Sequence, residues 1–72
     1  MSEHVYKKIS VVGSSAQSVD KAIRNAVETA SESVDNMRWF EVDEIRGHIE
    51  DGGVQHYQVS LEIGFTIDST RG

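Results

Sequence analysis

Hydrophobic and polar positions change their spacing twice along the chain. Val5, Ile9 and Val11 share one parity, with Lys8 and Ser10 on the other. Alternation of this kind, with β-branched residues on one side, predicts a half-buried strand. Lys7 interrupts the pattern, and Gly13-Ser14-Ser15 ends it. From residue 18 or 19 to 34 the apolar residues fall at steps of three and four: Val19, Ala22, Ile23, Ala26, Val27, Ala30 and Val34. This predicts one amphipathic helix. Ser18 suits its N-cap, and Asp20 suits the positive end of the helix dipole. The inward face is mostly Ala and Val, which lets a neighbouring element approach closely.

From Met37 the period returns to two. A long strand is expected to Glu50, then a turn at Asp51-Gly52-Gly53, then a strand from Val54 to Ile67. On that last strand Tyr57, Val59, Leu61, Ile63, Phe65 and Ile67 face one way. Asp68 to Gly72 reads as a polar, flexible tail. The order is β-α-β-β: a right-handed crossover between parallel strands, then an antiparallel hairpin. The expected fold is α+β, a three-stranded antiparallel-type sheet curved around one amphipathic helix. It is a single domain over residues 1–72, with an ordered core of about 4–67.

If Asp51-Gly52-Gly53 closes the hairpin, Glu50 lies near Val54, His48 near His56, Arg46 near Gln58 and Ile45 opposite Val59. Farther out the parity fails, because Asp43 would point inward at Leu61. One extra residue near Asp43 or Glu44, a β-bulge, repairs it. Val42 then meets Leu61, Phe40 meets Ile63, and Trp39 falls on the outer face near Gly64.

Composition narrows the function. The chain has 72 residues, no Cys, no Pro, 7 basic and 12 acidic residues, and a net charge of −5. Chains this small need a staple such as disulfides, a metal or partner chains. Without Cys, disulfides and thiolate metal sites are excluded, so partner copies are expected. The acidic balance and the lack of a basic cluster argue against nucleic acid. No apolar run reaches the ~20 residues of a membrane span, and Met1 to His4 carry no signal-peptide pattern. The expected setting is the cytoplasm.

The outer face of the hairpin carries the candidate chemistry: Trp39, Glu41, Glu44, Arg46, His48 and Gln58, with Ser60 and Gly64 between them. An outward Trp in a chain with so thin a core reads as a subunit-interface anchor, or as a stacking platform for a planar ligand. Gly64 opposite it leaves room for close approach. Trp39 and Gln58 lie on the order of 15–20 Å apart along the hairpin, so unless the strand bends strongly a ligand touching both sits between chains. His48, His56 and Glu50 invite a metal reading, but two surface imidazoles beside a turn account for them better. No catalytic set is assembled, so no enzyme and no metal site are expected.

At these residues the chain resembles the dodecins. The resemblance runs from Val5 to Ile67 through Val5-Tyr6-Lys7, Val11-Val12-Gly13-Ser14-Ser15, Asn25-Ala26-Val27, Arg38-Trp39-Phe40-Glu41-Val42, Glu44-Ile45-Arg46-Gly47 and Tyr57-Gln58-Val59-Ser60-Leu61-Glu62-Ile63-Gly64-Phe65. It implies a hollow homododecamer that holds flavins in stacked pairs between Trp residues of neighbouring copies. By this resemblance Trp39 stacks, Gln58 hydrogen-bonds the polar edge of the isoalloxazine, and Arg46 suits the phosphate of FMN in a bacterial FMN-type branch. Glu44, Gly64 and Thr66 are ligand-adjacent. Thr66 departs from the Arg or Lys common in similar sequences, which leaves FMN and riboflavin both open as ligands. Coenzyme A at a second site is also left open. The implied function is flavin storage with suppressed photochemistry. The alternative is a ligand-free structural or adaptor homo-oligomer anchored by Trp39.

Overall fold

The computed structural model describes residues 3–67. The tail at residues 68–72 lies outside them. Strand β1 (Tyr6–Ser15) is followed by helix α1 (Val19–Ala30) and by strands β2 (Met37–Glu50) and β3 (Gly53–Thr66). The sheet order is β1-β3-β2, with both pairings antiparallel. β1 and β2 therefore run parallel, as a crossover requires, but β3 lies between them. The molecule is elongated, 57 × 20 × 14 Å, because the β2–β3 hairpin is far longer than the helix laid on it.

The helix starts as its sequence dictates. Ser18 Oγ accepts the Lys21 N–H at 3.0 Å, and Arg24 Nε bonds Asp20 Oδ2 at 3.3 Å one turn along. It ends at Ala30 rather than at residue 34. There Ser31 Oγ donates to the Glu28 carbonyl at 2.7 Å, and the amides of Glu32 and Ser33 bond three residues back, to Thr29 and Ala30. Serine hydroxyls compete for backbone groups in this way, and the last turn tightens.

The hairpin register matches the expectation over most of its length. Trp39 pairs with Gly64, Phe40 with Ile63, Val42 with Leu61, Ile45 with Val59, Arg46 with Gln58 and His48 with His56, with a bulge between Val42 and Glu44. The turn differs. Gly53 opens β3 opposite Glu50, so only Asp51 and Gly52 form the loop, with φ of 52° and 77°. Two consecutive positive φ values mark the turn whose twist matches antiparallel strands. Val54 therefore faces Ile49 instead of Glu50, and a second irregularity between His48 and Ile49 restores the register.

The core is thin. Val59, Leu61 and Ile63 of the central strand are fully buried beneath Ala22 and Ala26. Ile9, Val11, Val19, Ile23, Val27, Ala30 and Met37 pack around them. The helix sits on β1 and β3, and it does not cover the apolar side of β2. Phe40, Val42 and Ile45 are 48%, 40% and 56% exposed. The expected three-stranded sheet with one helix on its inner face is thus observed, with the helix packed on β1 and β3 and the apolar residues of β2 left partly exposed beside it. A twelve-residue helix of small side chains is too narrow to bury that face.

Candidate functional site

Trp39 lies on the sheet rather than standing off it. A Cβ added to Gly64 would fall 2.3–2.5 Å from three atoms of the indole ring. The absent side chain is what lets one ring face rest on the β3 backbone. The ring is 38% exposed, and with one face on Gly64 that exposure belongs to the opposite face and the rim. Tyr6 of β1 meets it edge-to-face, with centroids 5.2 Å apart and planes at 71°. Gly64→Ala is expected to lift the indole from the strand. Acrylamide quenching of Trp39 emission should rise, and stability should fall by only about 1 kcal/mol, because the displaced atoms belong to a half-exposed side chain.

The pyrrole edge of the ring is also fixed. Trp39 Nε1 donates to Glu41 Oε2 at 2.9 Å. Lys8 Nζ lies 3.3 Å from the same oxygen and 3.1 Å from Glu62 Oε1. The indole hydrogen bond, then the Lys8 hydrogen bond, hold the Glu41 carboxyl below its ordinary range. The bonds to Glu62 and Glu41 raise the Lys8 ammonium. The Glu41 contribution is lost only as pH falls through its lowered value, and the Lys8 contribution only as pH rises through its raised value. The contact therefore persists across the whole neutral window.

Arg38 is the extra residue of a further irregularity between Met37 and Trp39. Its Nε donates to Thr66 Oγ1 at 3.1 Å. The bond ties the Arg38 guanidinium to the side chain of Thr66 across the β2–β3 pairing.

The remaining candidates lie nearer the middle of the hairpin. Gln58, half-buried, pairs with exposed Arg46, and Glu44 pairs with Ser60. Gln58 is six residues from Gly64 on β3, which is ~20 Å at the usual strand rise. Within one chain the structure thus joins Trp39, Gly64 and Thr66 and, separately, Gln58, Arg46 and Glu44. It does not bring the two groups together.

His48 and His56 stack with centroids 5.5 Å apart, and His48 Nε2 is 3.7 Å from Glu50 Oε2. Among the described residues, no group of three or more His, Asp or Glu is placed to hold a metal ion. None of their helices is long and apolar enough to cross a membrane.

Sequence reasoning missed Tyr6, Lys8 and Arg38 as neighbours of the platform. Tyr6 and Lys8 share the outward parity of β1. That signal becomes readable only once β3 is known to lie between β1 and β2.

An outward indole seated on a strand glycine, a cross-strand amide and guanidinium pair, and a half-covered hairpin characterise a small β-α-β-β protein with a candidate binding face. The chain is matched by the dodecin family model over residues 5–68. It is 46% identical over 66 residues to the dodecin of Thermus thermophilus, covering 92% of this chain and 96% of that one. The structure of dodecin from Streptomyces coelicolor superposes with a TM-score of 0.90 at 48% identity, covering 97% of this chain and 100% of that one. The calcium dodecin of Mycobacterium tuberculosis is 36% identical over 63 residues, 88% of this chain and 89% of its own. Its crystal structure, described as having a novel calcium-binding site, superposes with a TM-score of 0.77 at 32% identity, covering 94% of this chain and 97% of that one. The chain belongs to the dodecin family.

Proposed function

We propose that this chain is a cytoplasmic flavin-storage protein, not an enzyme, working as a hollow homododecamer. FMN or riboflavin is held in stacked pairs between the Trp39 rings of neighbouring copies. The observation that carries the reading is the seating of Trp39 on Gly64 with one face open, ~20 Å from the Gln58 and Arg46 pair of the same chain. A planar ligand that uses both groups must lie between copies. The uncovered apolar face of β2, with Phe40, Val42 and Ile45 exposed, supports assembly, since a face of that kind is normally buried against a partner.

The residues suit a flavin. The Gln58 amide offers both a donor and an acceptor to the polar edge of the isoalloxazine, and the Arg46 guanidinium suits a phosphate. Glu44, Gly64 and Thr66 border the ligand. The flavin supplies the light-absorbing, electron-accepting ring. The chain supplies the stack, excludes water from it, and offers Trp39 as a nearby electron donor, so that absorbed light is discharged as heat.

The name of the mycobacterial relative raises calcium as a competing ligand. No described cluster favours it here, so flavin is the reading retained. Titrating FMN with the purified protein tests it, with riboflavin and coenzyme A as comparisons. Strong quenching of FMN emission is expected, saturating at a fixed ratio of flavin to chain. FMN that stays bright in excess protein would overturn the proposal and leave the ligand-free homo-oligomer anchored by Trp39.

A further inference from the structure

Trp39 is the only tryptophan in the chain, and the one side chain bonded to its pyrrole edge is linked in turn to one side chain from each of the other two strands. β2 contributes Glu41, which accepts the indole N–H at 2.9 Å. β1 contributes Lys8, and β3 contributes Glu62, which shares the ammonium with Glu41. Fold stability does not account for this convergence. The side chains of Lys8, Glu41 and Glu62 are 46%, 44% and 30% exposed, and exposed ion pairs contribute little to folding. What the cluster does change is the indole. A hydrogen bond to an ionised acceptor is shorter and roughly twice as strong as a neutral one. A ring already fixed in its binding orientation loses less entropy when a ligand arrives. Two carboxylates share one ammonium, so the cluster stays net negative with the Glu41 carboxylate nearest the indole N–H, and this also makes an electron easier to remove from the ring, by Coulomb's law.

We propose that Glu41, latched by Lys8, is the positioning residue for Trp39. It holds the indole flat over Gly64 and strengthens it as an electron donor to an aromatic acceptor stacked on its open face. The second half rests on the reading above, in which the acceptor is a photoexcited flavin. One electron leaves the indole for the flavin and returns. The Nε1 proton stays in its bond to Glu41, and no atom is transferred. The first half requires no ligand at all.

Two variants separate the parts. Glu41→Gln keeps a carbonyl acceptor of the same size and removes the charge. Lys8→Met removes the latch and leaves the charge. In flavin-free protein, acrylamide quenching of Trp39 emission is expected to rise in both, by roughly twofold, as the ring is freed. In FMN-loaded protein, time-resolved emission should show the flavin excited state decaying roughly threefold more slowly in Glu41→Gln, as expected when a charge-assisted bond becomes a neutral one. The unfolding midpoint should stay within a degree or two in both, which a merely structural role would not allow. Acrylamide quenching and flavin decay equal to wild type in both variants would overturn the proposal. If Glu41→Gln does not fold, Lys8→Met decides alone. If the flavin-free change appears but wild-type protein does not bind FMN, the positioning role stands and the flavin reading falls.

Discussion

Trp39→Ala is expected to weaken FMN binding roughly tenfold to a hundredfold and to restore most of the flavin's emission. An aromatic ring stacked on a planar heterocycle contributes ~1–3 kcal/mol, and each 1.4 kcal/mol is a factor of ten in affinity. The indole is placed to deliver that full amount. One face rests on Gly64, its N–H is bonded to Glu41 at 2.9 Å, and Tyr6 packs at 71° to the ring plane. Little ordering remains to be done on binding. Loss of quenching should exceed the loss of affinity, because the alanine variant removes the nearest electron donor as well as the stack. Isothermal titration gives the affinity, and steady-state emission at saturating protein gives the quench. Trp39→Phe divides the two terms, since it keeps a ring to stack on and removes the better electron donor. An alanine variant that binds FMN as tightly as wild type would remove Trp39 from the site.

How much of this was legible in the sequence depends on the range of the interaction. The bulge before Glu44 followed from parity alone, because Asp43 cannot face Leu61 while Phe40 and Val42 face the core. Fixing that bulge placed Trp39 opposite Gly64, which is the central geometric fact of the candidate site. These are relations within one hairpin, where the turn sets the register. The two-residue loop was misread as three because a second irregularity, between His48 and Ile49, compensates for the difference. The two errors cancel at His48 and His56, so the pattern farther along gave no warning.

The environment of the indole was not legible, and the reason is topological. Tyr6 and Lys8 reach Trp39 and Glu41 only because β1 pairs with β3. That pairing is long-range, and hydrophobic alternation within β1 carries no information about which strand lies beside it. Arg38 was visible only as part of a motif. As an extra residue in the ladder, its direction is set by an irregular backbone and not by parity. The separation of Gln58 from Trp39, by contrast, was readable from strand rise alone, and it is the feature on which the proposal of a site between copies rests.

Gly13→Ala is expected to cost ~3 kcal/mol, the upper end of the usual penalty for overpacking. Its new Cβ would lie 2.1 Å from the Ala22 carbonyl oxygen and 2.8 Å from the Ala26 Cβ. The first of these atoms is backbone and cannot rotate away, so α1 as a whole must shift. Ala22 and Ala26 are the two helix residues buried over Val59, Leu61 and Ile63, and a shift there opens the only core the described residues contain. A stability of ~0.05–0.15 kcal/mol per residue gives a chain of 72 residues about 4–11 kcal/mol in total. The substitution therefore removes a large share of it. Thermal unfolding by circular dichroism should show a midpoint lower by ten degrees or more, and hydrogen exchange should show the loss of protection concentrated in α1. The conformation of β1 itself demands no glycine at this position, so the cost arises from contact with the helix and not from backbone strain. Ala22→Gly is the complementary check. It thins the helix but leaves the carbonyl in the way, so it should not rescue Gly13→Ala. A double variant restored to wild-type stability would show that side-chain crowding, and not the backbone contact, sets the helix-to-strand distance.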